Sequence, residues 1–409
     1  MNRVRLHVVV SLAMALVLLL GAVPGVFAGP TAPTNSNNDP FVRAANYYRT
    51  HRGAQAVSQV PEGMQVIATG LNNGRGITIG PDGGIYVAES GYGDPSNCAE
   101  IFPGFEACVG DSGSVTRIEN GVQERIATGL PSWADSSGFG SSGPADITWK
   151  PRDAFFVTVG LGFGLSPDDL AAVDPIGNWF GTLMRMNPAG YWNVQADIYD
   201  YEASNNPDGG EIDTNPYGVL AVQGRNRIVA DAGGNDLLKI NNNGHVSTLA
   251  VFPDTLVPAP PFLGLPPGAQ IPMQAVPTSV VQGPGNTVYA SQLTGFPFPT
   301  GGAKIYQVWP NGYMQVVADG LTTIVGMASG PDGSLYAVSI AQDLAACESG
   351  GACDGRLYKV NPNTGETTVL ARNLPYPGGV AVDSNGTVYL TLNSIFPDYA
   401  GGGQVVRMN

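Results

Sequence analysis

Apolar and polar residues alternate with a period of two along nearly the whole chain beyond Met64, in short runs punctuated by glycine, proline, asparagine and aspartate. Such a pattern reads as half-buried strands joined by tight turns. The stretch RGITIGPDGGIYVAES at residues 75–90 shows the unit, two alternating runs around Gly80-Pro81-Asp82-Gly83. Proline pre-sets the first turn position, aspartate tolerates the second, and glycine takes the left-handed conformation a hairpin needs next.

The unit returns as VGMASGPDGSLYAVS (325–339), GGVAVDSNGTVYLTL (378–392) and TSVVQGPGNTVYASQ (278–292), and in looser form as ADITWKPRDAFFVTV (145–159) and YGVLAVQGRNRIVADA (217–232). A second alternating pair follows each copy, for example GSVTRIEN with VQERIATGL and AKIYQVWPNG with MQVVADGL. Four strands in meander order make one propeller blade. The sixth unit has a third strand, GQVVRMN at 403–409, and then the chain ends, while MQVIATGL at 64–71 matches the closing strands QERIATGL and MQVVADGL. The pattern predicts an all-β six-bladed β-propeller over residues 63–409, its ring closed by the amino-terminal strand completing the carboxyl-terminal blade. Closure of that kind removes an open edge.

Composition agrees: 56 glycines and 33 prolines beside 13% charged residues suit short strands and turns rather than long helices. Ahead of the propeller, Arg3 and Arg5 precede an apolar run that ends in Val26-Phe27-Ala28. This predicts a secretory signal over 1–28, cleaved after Ala28, with no membrane insertion afterwards; the alternative is a retained anchor. Residues 29–62 read as a polar linker with one helical turn near 46–51.

The formal charge of −14 disfavours nucleic acid and anionic membrane surfaces, leaving a small molecule, a glycan or an exported protein as partner. In an exported chain the cysteines pair locally, Cys98 with Cys108 and Cys347 with Cys353. Neither pair has the histidines or the Cys-x-x-Cys spacing of a zinc site.

In a meander blade, the loops joining strands one to two and three to four share one end of the ring. Here those loops are short. The long segments, at 91–112, 131–143, 163–180, 199–215, 253–277, 295–302, 342–354 and 394–402, all fall at the other end, which marks it as the working face. Position in the repeat puts Asn72, Arg75, Glu89, Asp146, Asp231, Asn235, Thr278, Gln292 and Asn393 around the channel mouth there, with Phe298 in a loop beside it. Glu89, Asp146, Asp231 and Asn235 form an oxygen-ligand set suited to calcium. The plainer reading is that these side chains cap strands and satisfy turn backbone.

Catalytic patterns are sparse. The 3 histidines are His7 in the signal, His51 in the linker and His245 in an outer strand, which removes the usual histidine base or zinc ligand. No Gly-x-Ser-x-Gly elbow joins a strand to a helix, and Gly160-Leu161-Gly162-Phe163-Gly164 lacks the βαβ setting of a phosphate loop. A cation-dependent lactonase-like hydrolase using the Glu89 set is the enzymatic alternative to a binding protein.

Four stretches add a resemblance. IATGLNNGRGITIGPDGGIYVAESG, ADIYDYEASNNPDGGEIDTNPYGVLAV, IVADAGGNDLLKINNNGHVSTLAVFP and the run from QAVPTSVV through ASQLTGFPFPTGGAKIYQVWP resemble the ScyD/ScyE family over about residues 64–409. The family comprises exported, NHL-like propellers named for members associated with production of the sunscreen scytonemin. The resemblance implies no catalytic residues. It does place its shared segments, 199–215, 231–236 and 293–299, on the long-loop face.

Overall fold

The computed structural model describes residues 61–102, 105–150, 154–348, 353–398 and 402–408. The expected signal segment 1–28 lies outside the described residues, as do residues 29–60 of the expected linker.

Six antiparallel four-stranded blades follow one another around a ring. Their innermost strands are Gly74–Ile79, Pro144–Trp149, Pro216–Val222, Pro277–Gln282, Ile324–Ser329 and Gly379–Val382. These strands contact one another in sequence around the axis, and the last returns to the first. Second strands such as Ile85–Glu89, Phe155–Val159 and Leu335–Ser339 are buried at every position, because the flanking blades cover both faces. Fourth strands such as Thr367–Leu374 are largely solvated. The core therefore runs between blades as successive apolar layers.

Small residues let the inner strands approach. Gly76, Asp146, Gly218, Ser279, Gly326 and Gly379 occupy the same position in the six inner strands. A Cβ on Gly326 would meet the Gly379 Cα at 3.0 Å, and one on Gly379 would meet the Arg75 carbonyl oxygen at 2.8 Å. The two polar members of this ring do equivalent work. Asp146 Oδ2 accepts from the Val219 amide at 2.9 Å and Ser279 Oγ from the Met327 amide at 3.1 Å, each reaching the next blade.

Closure is as the sequence predicts. Met64–Leu71 pairs antiparallel with Gly403–Met408, Met64 opposite Met408 and Val66 opposite Val406. Both disulfides are present.

The long segments hold more structure than their composition announced. The third and fourth strands of the first blade extend to Phe105–Glu119 and Val122–Ala134, and Cys98–Phe102 adds a further strand with Cys98 opposite Cys108. Segment 163–180 contains the helix Pro167–Ala171, capped reciprocally by Ser166 and Asp169. Segment 253–277 contains a ribbon of Thr255–Pro258 and Gln270–Met273, and 199–215 begins within the helix Ile198–Asn205.

Candidate functional site

The long segments share one face, and hydrogen bonds tie most of them to a neighbour or to the strand ends between them. Going round the ring, Asp398 N donates to Asn72 Oδ1 (2.9 Å), Gly140 N to the Ile395 carbonyl (3.1 Å) and Asn97 Nδ2 to Asp174 Oδ2 (3.1 Å). Gly164 N then donates to Asp213 Oδ1 (3.1 Å), Asn235 Nδ2 to Asp208 Oδ2 (3.1 Å), Val276 N to Asn235 Oδ1 (3.1 Å), and Thr300 Oγ1 to the Gln342 carbonyl (2.9 Å). Preorganised loops of this kind lose little conformational freedom on binding.

The structure departs from the sequence reading at the channel mouth. Arg75, Glu89, Asp231, Asn235, Thr278, Gln292 and Asn393 are buried rather than arrayed around an opening. What covers this end is apolar. Phe139 packs edge-on to Phe396 with centroids 5.2 Å apart, Phe396 meets Tyr376 at 5.4 Å, and Tyr217, Val276 and Leu293 belong to the same cluster. Phe298 lies against its rim.

Glu89, Asp231 and Gln292 share one repeat position, each opposite the first residues of its inner strand, yet each serves its own blade. Glu89 accepts from Thr116, from the Asn72 amide (2.6 Å) and from Arg125. Asp231 accepts from Thr214 and from the amides of Asn215 (2.6 Å), Gly233 (3.1 Å) and Gly234 (3.2 Å). Gln292 hydrogen-bonds Tyr306. Arg75 Nη2 donates to the Ser141 carbonyl at 2.7 Å, Thr278 Oγ1 to the Ile324 carbonyl at 2.6 Å, and Asn393 N to the Pro375 carbonyl at 2.8 Å.

The expected ligand set is therefore not assembled. Glu89 belongs to the first blade, Asp146 to the second, and Asp231 and Asn235 to the third; only the last two share a neighbour, Gly233. Glu89 also has its counter-charge in Arg125.

Solvent-facing hollows lie at both ends of the ring. An axial cavity of about 230 Å³ is lined by the inner strands, including Thr78, Asp146, Thr148 and Ser279. Exposure of those strands rises toward their short-turn ends, so the cavity opens on the face opposite the long segments. Desolvation by the surrounding strands pushes the Asp146 carboxyl up to about 7, against the stabilising amides of Val219 and Ile147. On the long-loop face a hollow of about 470 Å³ lies between Asn72, Tyr92, Asp94, Asp111 and Arg125.

Sequence reasoning missed a group of carboxylates beside Asp231. Glu202 sits on the helix Ile198–Asn205 and Asp236 begins the strand Asp236–Ile240; both are buried. The signal was there in the acid density of YEASNNPDGGEID and DAGGND, but nothing in a single sequence says that the two stretches meet.

No family model matches the chain, and no curated protein matches it. Among solved structures, a streptogramin B lyase shares 11% identity over 86% of this chain and 99% of its own, with a TM-score of 0.45. The PQQ-bound aldose sugar dehydrogenase of Streptomyces coelicolor shares 13% over 85% and 99%, at a TM-score of 0.48. A putative gluconolactonase shares 14% over 65% and 78%, at 0.39. Likeness this distant carries no functional argument, and six blades rest on the strand pairing itself.

Proposed function

We propose that the protein is an exported binding protein of the ScyD/ScyE type that takes a small molecule, a glycan or another exported protein on its long-loop face. The observation that supports this reading is the series of ties that links most of the long segments, from Gly140 with Ile395 round to Thr300 with Gln342. A ring of packed blades needs none of that elaboration for stability, and its one-sidedness fits a face shaped for a ligand. Tyr92 beside the hollow and the exposed Trp179, Ile212 and Leu265 supply contact groups on it.

The test is a glycan array and a small-molecule thermal-shift panel on the wild type, followed by Tyr92→Ala, Ile212→Ser and Leu265→Ser. Loss of a discovered ligand in at least one of these, with melting unchanged, supports the face. A ligand unaffected by all three but lost on changing residues around the axial cavity would reassign the site to the opposite end.

A second reading, a lactonase-like hydrolase, has Asp146 on its side: a carboxyl near 7 facing a polar cavity suits a general base. Lactone hydrolysis abolished by Asp146→Asn would favour it.

A further inference from the structure

Buried carboxylates are costly unless something neutralises them. In the third blade Asp236 is 1% exposed, and neither carboxylate oxygen has a hydrogen-bond partner. Glu202 is 2% exposed, with Oε1 likewise unpartnered. Asp231 and Asp236 face each other on adjacent strands, which puts their side chains on one side of the sheet. The charges that bear on Asp236 are Asp231, Glu202 and Asp208, all of its own sign.

Glu202 and Asp231 also border a common space. A Cβ added to Gly234 would come 3.3 Å from Glu202 Oε2 and 3.6 Å from Asp231 Oδ2, so the missing side chain leaves a gap flanked by two carboxylates. Asn235 holds Asp208 at its edge through the Nδ2 to Oδ2 bond of 3.1 Å.

We propose that this space is a divalent-cation site, with Asp236, Glu202, Asp231 and Asp208 as its carboxylates and calcium as the favoured ion. The inference stands independently of the ligand-binding reading above. Calcium takes six to eight oxygens in a flexible shell, whereas magnesium demands a tight octahedron. The spacing matters here: among the described residues, the one set of three or more His, Cys, Asp and Glu residues whose ligand atoms all lie within 4.8 Å of one another is Cys98, Glu106 and Cys108, and those cysteines are in a disulfide. No three of the blade-three carboxylates meet that spacing as they stand, so binding draws them inward around the ion, which a flexible calcium shell accommodates better than a fixed octahedron. Its structural effect is to fasten segment 202–208 to the third blade, which otherwise holds like charges together.

The rival account is that protons neutralise these carboxylates, and it predicts no metal binding at neutral pH. The test is calorimetric titration of the purified, EDTA-stripped full chain with calcium chloride and then magnesium chloride, with limited proteolysis of segment 199–215 in parallel. One calcium per chain is expected, bound at least tenfold more tightly than magnesium and protecting that segment from cleavage. Glu202→Gln should weaken it at least tenfold and Asp236→Asn at least a hundredfold, while the exposed control Glu124→Gln leaves it unchanged. Should Asp236→Asn fail to fold, Glu202→Gln and the proteolysis pattern decide. Absence of binding at millimolar calcium, or binding indifferent to Glu202→Gln, overturns the proposal.

Discussion

Arg125 grips Glu89 with two hydrogen bonds, Nη2 to Oε2 at 2.9 Å and Nε to Oε1 at 3.1 Å, while the same Nη2 reaches the Gly70 carbonyl at 2.8 Å. The first blade is thereby tied to the strand that closes the sixth. Glu89 is fully buried and Arg125 is about one-third exposed, so the arginine carries charge compensation from the surface into the interior.

Removing the arginine should therefore hurt more than removing both partners. Arg125→Ala leaves Glu89 uncompensated and is expected to cost about 3 kcal/mol, below the upper range for a buried pair because Arg125 is partly solvated. The double variant Arg125→Ala with Glu89→Gln should recover part of that loss. Urea denaturation of the three proteins checks it, and calcium should not rescue the single variant, because Glu89 does not share a centre with Asp231.

The architecture was legible in the sequence because it repeats. The turn at Gly80 and its copies announce hairpins, and MQVIATGL announces its partner by resembling other closing strands. The site was harder to read. Whether Arg75 or Asn393 faces water depends on Phe139, Tyr376 and Phe396, which arrive from irregular segments with no period to betray them. Position in the repeat located the loop ends correctly; it could not say that aromatic side chains from other loops would cover them. Asp236 was overlooked for a related reason, since its environment is made by a helix about thirty residues earlier in the chain.

Ring closure carries its own test. Leu71 and Val406 are completely buried in the join, and the carboxyl-terminal strand has Met64–Leu71 as its outer neighbour. A chain beginning at Asn72 should expose Val405 and Val406 along an unpaired edge and elute as aggregate in size-exclusion chromatography. Leu71→Ala alone should remain monomeric but lose about 2–5 kcal/mol in denaturant.

Asp146 makes stability depend on pH. Its carboxyl is raised to about 7 in the folded chain from an ordinary 3.8, chiefly by desolvation, so the native state holds the proton more tightly than the unfolded state does. Stability from this group is fully present below about pH 4 and is lost as pH rises to about 7. Relative to Asp146→Asn, the wild type should lose about 2 kcal/mol between pH 4.5 and 7.5, a figure reduced because Asp146 lines a cavity open to solvent. Melts of both proteins across that range check it; parallel curves would mean that the Val219 and Ile147 amides keep the carboxylate ionised throughout.

The aromatic cap yields the last prediction. Phe139 and Phe396 come from different segments, pack 5.2 Å apart and are nearly buried, so truncating either to alanine should cost about 3–5 kcal/mol. Because each lines the space the other would vacate, the double variant should cost less than the sum, with a coupling of about 1 kcal/mol in a double-mutant cycle. Additive losses would mean that the two rings are buried independently and that no single cap exists. If the cap is what separates the long-loop face from the interior, the double variant should also bind an environment-sensitive apolar dye in its folded state, below the denaturant midpoint, where the wild type does not.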